Sequence, residues 1–214
     1  MKRILVPALS ALLITALAVF IFREPLKEML YASVTEDMFV AADTDSFDPG
    51  PALGSTFPGV RARYQGNEIS LLTPFAGTNG TVLIASRSMD WCPYCMKQMI
   101  QLQTYKADYD AAGIGLVGIT YDSPEKQQAF IDKFGISIPL ISDIDVMSFK
   151  TLGIVNDNYQ PGEDGYGIPF PGMIVIDRDG KVVGTLFLEG YSTRVDSQAA
   201  LVFAQEALRA ANTP

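Results

Sequence analysis

Both cysteines of the chain and its only tryptophan lie within residues 90–95, which read Asp-Trp-Cys-Pro-Tyr-Cys. Shortly before this motif, residues 81–86 are mostly apolar or β-branched, which predicts a buried strand. Residues 93–112 have the composition of a helix, and a proline suits its first turn. Two cysteines three positions apart at a strand–helix junction indicate a paired-thiol site. The fold has to supply that junction, so an α/β class is favoured.

The position of Cys92 at the start of a helix has a chemical consequence. The first N–H groups of a helix lack intrahelical partners, and the helix dipole is positive there, so a thiolate is stabilised and its pKa falls. We therefore predict that Cys92 is the exposed nucleophile. Cys95, one turn further in, is predicted to be buried and to act as the resolving thiol. The two would close and reopen a redox-active disulfide.

Two other roles for the cysteine pair are possible but less favoured. Zinc usually takes four protein ligands, and the chain has no histidine and no third cysteine. A purely structural disulfide across so short a loop would remove little entropy from the unfolded chain. We predict no metal and no cofactor.

The net charge of the chain is −8, which argues against nucleic-acid binding through a basic patch. The first 22 residues differ from the rest: Lys2 and Arg3 precede an uncharged, mostly apolar stretch over residues 4–22. As a helix this stretch would span about 28 Å, close to the hydrocarbon thickness of a bilayer.

We expect residues 4–22 to be an uncleaved transmembrane anchor. The alternatives are a cleaved signal peptide and a buried helix of a globular domain. The two N-terminal basic residues would stay in the cytoplasm and the catalytic domain would be extracytoplasmic, which means periplasmic in a Gram-negative cell.

Three regions follow from these patterns: residues 1–22 as the anchor, 23–52 as an acidic juxtamembrane linker and 53–214 as the globular domain. Within the domain, strand and helix patterns alternate, and a hairpin pattern closes on residues 177–180. Strands are predicted at 60–64, 68–72, 81–87, 114–121, 139–142, 173–176 and 181–188, and helices at 93–112, 123–134, 145–152 and 195–211. This order indicates an α/β fold with a mixed sheet.

Residues 91–95 and 168–183 together resemble the thioredoxin superfamily, most closely its redoxin branch. That branch includes membrane-tethered thiol–disulfide oxidoreductases and the peroxiredoxin-like AhpC/TSA proteins. The resemblance covers about residues 53–210 and implies a thioredoxin-like fold, a mixed central sheet flanked by helices. It also identifies Pro171 as a cis-proline opposite the dithiol, an ordinary trans proline being the alternative. The implied substrate groove consists of Trp91, Pro93, Tyr94 and Pro171.

Departures from the family pattern bear on the reaction. Peroxiredoxins resemble one another in a Pro-x-x-x-Thr-x-x-Cys loop, and the corresponding residues here are Ala85, Met89 and Cys92. The threonine that orients peroxide is therefore missing, which weakens a peroxidase interpretation. Arg87 could pair with a thiolate, although an arginine at a strand end is more often a surface residue.

The residues that serve as bases in relatives are also replaced. Ser86 and Gln98 stand where thioredoxins carry an aspartate and some tethered reductases a glutamate. The carboxylate nearest in sequence is Asp90, which is either a base or a solvated residue.

The sequence thus favours an extracytoplasmic thiol–disulfide oxidoreductase in which Cys92 attacks and Cys95 resolves. Its expected partners are protein or small-molecule disulfides and a membrane or periplasmic thiol donor. A thiol peroxidase using the same cysteines is the first alternative. A redox-inert binding module of the same fold is the second.

Overall fold

The structure is a computed structural model that describes residues 19–43 and 45–211. The chain divides into two compact units, the first ending at Asp37 and the second beginning at Met38. In the first unit, residues 19–34 are helical (α1). Within the described part of the chain, no helix is both long and apolar enough to cross a membrane. Most of the predicted anchor, residues 4–18, lies outside the described residues.

The second unit is built on a seven-stranded sheet. Its strands are β2 (Ala62–Tyr64), β3 (Asn67–Ile69), β4 (Gly80–Ala85), β5 (Ile114–Thr120), β6 (Leu140–Asp143), β7 (Gly172–Asp177) and β8 (Val182–Phe187). They lie side by side in the order β3-β2-β6-β5-β4-β7-β8. The three central strands β4, β5 and β6 run parallel, whereas β7 is antiparallel to β4 and β8 to β7. The predicted mixed sheet is confirmed.

The helices of this unit are α2 (Pro93–Thr104), α3 (Lys106–Ala111), α4 (Pro124–Phe134), α5 (Met147–Leu152) and α6 (Ser197–Ala211). One predicted helix over residues 93–112 is in fact two. Tyr105 adopts φ −99° and ψ 2°, outside the α-helical region, and separates α2 from α3. Helix α4 lies within one residue of the predicted helix 123–134: Pro124 occupies its first turn, and Gly135, with φ 64°, is its C-cap.

The apolar composition of the central strands reflects their position. Every residue of β4 is buried, as expected for a strand covered on both faces of the sheet. Leu83 on β4, Val117 on β5 and Ile174 on β7 belong to one buried cluster. This packing fixes the carboxyl end of β4, from which the dithiol motif continues.

Residues 38–52, assigned from the sequence to the linker, belong to the second unit. Phe39–Val40 forms a short strand, β1, that pairs in parallel with β9 (Arg194–Val195). The Phe47 ring packs edge-on against Phe170 with centroids 4.8 Å apart. The compact unit therefore begins 15 residues earlier than the sequence predicts, at Met38 instead of Leu53.

The predicted cis-proline is wrong: among the described residues no peptide bond is cis, so Phe170–Pro171 is trans. Pro171 immediately precedes β7, whose first residue, Gly172, pairs with Ala85 on β4 and Phe187 on β8. A proline at the start of a strand need not donate to the ladder and is accommodated in its usual trans form.

Candidate active site

The dithiol motif lies at the end of β4 and the start of α2, where the sequence places it. Cys92 is the N-cap of α2 with an extended backbone (φ −93°, ψ 99°), and Pro93 is the first helical residue. The Cys92 Sγ accepts a hydrogen bond from the backbone N–H of Cys95 at 3.3 Å. The sulfur thus takes the role that a side-chain oxygen plays at most N-caps.

Both cysteines are reduced and both are fully buried. The predicted exposure of Cys92 is therefore wrong for the reduced pair. Arg87, which contacts its sulfur, is itself covered by the aromatic rings of Trp91 and Tyr191. Sequence spacing put Cys92 at the helix end but carried no information on these covering side chains.

Arg87 is a buried thiol partner and not a surface residue. Its Nη2 donates to the Cys92 Sγ at 3.3 Å, and only 7% of the residue is exposed. Its guanidinium carbon lies 5.5 Å from the ring centre of Trp91 and 4.9 Å from that of Tyr191. The geometry supports the option, open in the sequence, that Arg87 pairs with a thiolate.

A second arginine, Arg194 on β9, contacts the other sulfur. Its Nη2 donates to the Cys95 Sγ at 3.6 Å, and the residue is 2% exposed. Its Nε donates to Gln98 Oε1 at 3.1 Å, and its Nη1 to the carbonyls of Tyr191 at 2.9 Å and Thr193 at 2.6 Å. Sequence reasoning missed Arg194, because 99 positions separate it from Cys95 and no motif surrounds it.

The ionisation of the two thiols is coupled, because Cys92 donates a hydrogen bond to the Cys95 sulfur. Burial opposes ionisation of Cys95. The hydrogen bond from Cys92, the charge of Arg194, a backbone hydrogen bond from Ser88 and the charge of Arg87 outweigh burial, and they hold the pKa of Cys95 well below its ordinary value. The same hydrogen bond, burial and the charge of Cys95 raise the pKa of Cys92. While both cysteines are reduced, a thiolate is therefore favoured at Cys95 and disfavoured at Cys92.

This result corrects the expected low pKa of Cys92. The helix N-terminus and Arg87 do favour its thiolate, but two adjacent sulfurs cannot both be charged at low cost. The local effect of the helix is outweighed by the neighbouring thiol.

A buried hydrogen-bond network supports the loop that leads to Cys92. The carboxylate of Asp122 accepts from the Ser88 hydroxyl at 2.7 Å and from the Met89 N–H at 2.6 Å. The Ser88 hydroxyl in turn accepts from the N–H groups of Asp90 at 2.9 Å and Trp91 at 3.2 Å. Asp122, which follows β5, therefore fixes the backbone on which the motif is presented.

The carboxylate of Asp90 is directed to another partner. It forms an ion pair with the Lys126 ammonium at 2.7 Å, and both side chains are about half exposed. This pairing supports the view of Asp90 as a solvated residue and not as a base for either thiol.

Three of the four predicted groove residues surround the Cys92 end of the motif. The Trp91 ring is 38% exposed, and its Nε1 donates to the Tyr121 hydroxyl at 2.7 Å. The Tyr94 ring meets Tyr191 edge-on with centroids 6.0 Å apart. We call the rings of Trp91, Tyr94 and Tyr191 the aromatic rim; two of them lie against Arg87, which contacts the buried Cys92 sulfur.

The fourth, Pro171, lies elsewhere. It is buried and lines a small cavity together with Gln98 and Arg194, beside the Cys95 end of the motif. In the reduced structure Pro171 faces the arginine of the inner thiol and not the aromatic rim.

The described residues hold no group of three or more histidine, cysteine, aspartate or glutamate side chains placed to bind a metal ion. The charged partners that the structure gives the two sulfurs are guanidinium groups.

A model of the AhpC/TSA family matches residues 53–185 of the chain. A Mycobacterium tuberculosis protein whose name assigns it provisionally to the peroxiredoxins is 34% identical over 91 residues, 42% of this chain and 57% of that protein. The thiol-disulfide oxidoreductase ResA of Halalkalibacterium halodurans is 28% identical over 95 residues, 44% of this chain and 46% of its own length. The chain thus spans about half the length of these two relatives. The peroxiredoxin Bcp of Escherichia coli is 30% identical over 129 residues, 60% of this chain and 81% of its own length.

Solved structures show the same fold. The peroxidoxin BcpB of Mycobacterium tuberculosis has a TM-score of 0.60 at 23% identity, over 75% of this chain and 98% of its own. Peroxiredoxin 6 of Arenicola marina has a TM-score of 0.66 at 16% identity, over 77% of this chain and 76% of its own. At such identities the likeness concerns the fold alone, and it confirms the predicted thioredoxin-like architecture.

Proposed function

This chain belongs to the AhpC/TSA family, and on that premise we propose that it is a thiol–disulfide oxidoreductase that acts on extracytoplasmic disulfides through Cys92 and Cys95. The observation that carries the proposal is that each of the two buried thiols receives a hydrogen bond from its own buried guanidinium. A structural disulfide needs no such groups, because neither sulfur would carry charge. A dithiol that must ionise during exchange does.

The first step begins when Cys92 passes its proton to the Cys95 thiolate. The resulting Cys92 thiolate is stabilised by Arg87 and by the N–H of Cys95, both 3.3 Å from its sulfur. It attacks one sulfur of a substrate disulfide. A new bond joins Cys92 to that sulfur, the substrate S–S bond breaks, and the other half of the substrate leaves as a thiolate.

In the second step Cys95 passes its proton to the substrate thiolate released in the first step and attacks the Cys92 sulfur. The Cys92–Cys95 disulfide forms, and the second half of the substrate leaves as a thiolate. Two electrons have then passed from the protein dithiol to the substrate. A donor dithiol restores the reduced pair by the reverse exchange, and the same steps run backwards oxidise a dithiol.

Access to Cys92 requires the aromatic rim to move, because the sulfur is fully buried in the reduced protein. Trp91 and Tyr191 are 38% and 58% exposed and lie at the surface above Arg87. Their displacement by a docking substrate would uncover the sulfur and preserve the contact between Arg87 and the thiolate.

Two single-cysteine variants test this function. With a model disulfide and a dithiol donor, we expect Cys92→Ser to lose turnover entirely. We expect Cys95→Ser to accumulate a mixed disulfide between Cys92 and the substrate, seen as an added mass on the intact protein. Full turnover by Cys95→Ser would contradict the two-cysteine mechanism.

A thiol peroxidase is the second candidate, favoured by the relatives named peroxiredoxins and by the arginine on Cys92. Here the Cys92 thiolate attacks a peroxide oxygen and breaks the O–O bond. It releases water or an alcohol and becomes a sulfenic acid. Cys95 then forms the disulfide and releases water. Loss of thiols from the reduced protein that is faster with peroxide than with a disulfide of equal concentration would favour this reaction.

The location of the enzyme is part of the proposal. Residues 4–22 anchor the chain in a membrane, with Lys2 and Arg3 on the cytoplasmic side and the catalytic domain on the other. The uncharged stretch and the two preceding basic residues support it. In cell fractionation, the full-length chain should stay in membranes after an alkaline carbonate wash. Recovery of a shortened chain in the soluble fraction would instead indicate a cleaved signal.

A further inference from the structure

Among the residues that the structure describes, no carboxylate forms an ion pair with the buried charge of Arg194. Its hydrogen bonds go to the amide oxygen of Gln98, to the carbonyls of Tyr191 and Thr193, and to the Cys95 sulfur. A guanidinium that is 2% exposed needs a compensating negative charge, and of these four acceptors only Cys95 can ionise.

We propose that Arg194 is a further catalytic residue, which holds Cys95 as a thiolate so that it can attack the mixed disulfide on Cys92. The inference rests on the proposed thiol exchange and assigns the second of its two steps to a named group. It also accounts for how the inner thiol loses its proton when Ser86, Gln98 and Asp90 provide no base at the sulfur. The permanent positive charge of Arg194 stabilises the Cys95 thiolate, and the proton passes to the substrate thiolate released in the first step.

The neutral side chain of Gln98 is part of this arrangement. Its Oε1 accepts from Arg194 Nε at 3.1 Å and orients the guanidinium without cancelling its charge. A carboxylate in the same place would form a buried ion pair with Arg194 and weaken the attraction between the guanidinium and Cys95. Gln98 is therefore expected to act as a positioning residue.

The backbone holds Arg194 in place from the opposite side. Its N–H donates to the Met38 carbonyl at 2.8 Å, and the N–H of Asp196 donates to the Val40 carbonyl at 2.8 Å. With both Nη1 and Nε also bonded, the guanidinium has one direction left for Nη2, which is toward Cys95. The charged and titratable groups around that sulfur are Arg194, Arg87 and Cys92.

The test uses the full-length reduced protein and the chromogenic reagent dithio-bis-nitrobenzoate. Attack by Cys92 releases one nitrothiobenzoate, and resolution by Cys95 releases the second, so the two steps appear as separate phases. In Arg194→Met we expect the first phase to persist and the second to slow about tenfold or more at neutral pH, because loss of a nearby opposite charge moves a pKa by 1–3. The second phase should recover as the pH is raised.

A separate titration follows thiolate absorbance in a Cys92→Ser background, where Cys95 is the sole thiol. Arg194→Met should move its midpoint to higher pH, and Arg194→Lys should move it less. Arg178→Met, which removes an exposed arginine at a hairpin turn, is the matched control and should change neither the midpoint nor either phase.

Gln98→Glu separates an electrostatic role from a merely structural one and remains informative if Arg194→Met fails to fold. It preserves the hydrogen bond to Arg194 yet should raise the Cys95 midpoint and slow the second phase. An unchanged midpoint in both Arg194→Met and Gln98→Glu would overturn the inference, as would a raised midpoint with an unchanged second phase. If the wild-type protein shows neither phase, the proposed function fails as well. If both phases are normal in the wild-type protein and only the Arg194 variants lack the expected effect, the inference about Arg194 alone fails.

Discussion

The two thiols of the motif are held by the same kind of group in different surroundings. At the outer half of the site, formed by Cys92 and Arg87, the guanidinium lies against the faces of Trp91 and Tyr191, and its Nε has no partner among the described residues. At the inner half, formed by Cys95 and Arg194, the guanidinium is fixed through Nε and Nη1 as well.

This difference matches the two steps of the proposed thiol exchange. In that proposal the outer sulfur meets substrates of variable shape, and its arginine is held by contacts with aromatic side chains at the surface. The inner sulfur meets only Cys92, so its arginine can be locked in one geometry. The more rigidly held arginine is thus Arg194, whose sulfur, that of Cys95, always reacts with Cys92.

The largest effect is expected from the outer arginine. Arg87→Met should slow alkylation of Cys92 by iodoacetamide about tenfold or more at neutral pH, because the Cys92 thiolate loses a positive charge 3.3 Å from its sulfur. Arg87→Lys should recover part of the rate. An equal slowing of the resolving phase would show that the two halves are not independent.

A smaller effect should follow Tyr191→Ala, which removes the ring over Arg87 but keeps the carbonyl that accepts from Arg194. Loss of the ring uncovers the outer sulfur, and we expect alkylation of Cys92 to become up to about fivefold faster. This factor corresponds to the free energy of one exposed cation–π contact, which no longer has to be broken for the reagent to enter. The resolving phase should not change. Slower alkylation would mean that the ring positions Arg87 more than it covers Cys92.

The smallest effect concerns the network below the outer half. Burial raises the pKa of Asp122 above its ordinary value of 3.8, despite its bonds to Met89 and Ser88. At a pH between the ordinary pKa and the raised pKa, Asp122 keeps a proton in the folded protein that it releases in the unfolded chain. The contribution of Asp122 to the free energy of unfolding therefore falls as the pH rises through this range.

Thermal unfolding of wild type and Asp122→Asn from acidic to neutral pH checks the direction of this pH dependence. The stability of wild type relative to the variant should fall as the pH rises from about 3.8, since asparagine does not titrate. Contributions from other groups cancel in the difference. A difference that grows with pH would contradict the burial of Asp122 as the dominant influence.

Local signals in the sequence were enough to place the motif and its helix. Pro93 and Pro124 at helix starts, Gly135 at a helix end and the apolar run of β4 all depend on neighbouring residues, and the structure agrees with each. The mixed sheet followed from the order of strand and helix patterns.

The features that the sequence did not predict are tertiary. Arg194 reaches Cys95 because β9 pairs with β1, and two-residue strands leave no periodic pattern to detect. The raised pKa of Cys92 depends on burial and on its partner thiol, whereas the sequence revealed only the helix N-terminus. The trans form of Pro171 departs from what the family resemblance implied.

The reduction potential of the Cys92–Cys95 pair tests the central claim most directly. The reduced protein would be equilibrated in thiol/disulfide buffers and its free thiols counted. A value between roughly −120 and −270 mV is predicted, the range of catalytic dithiols, since two guanidinium groups stabilise the ionised reduced pair. A value well below about −300 mV would mean a disulfide that resists exchange. It would contradict the proposed enzyme and favour a redox-inert binding module.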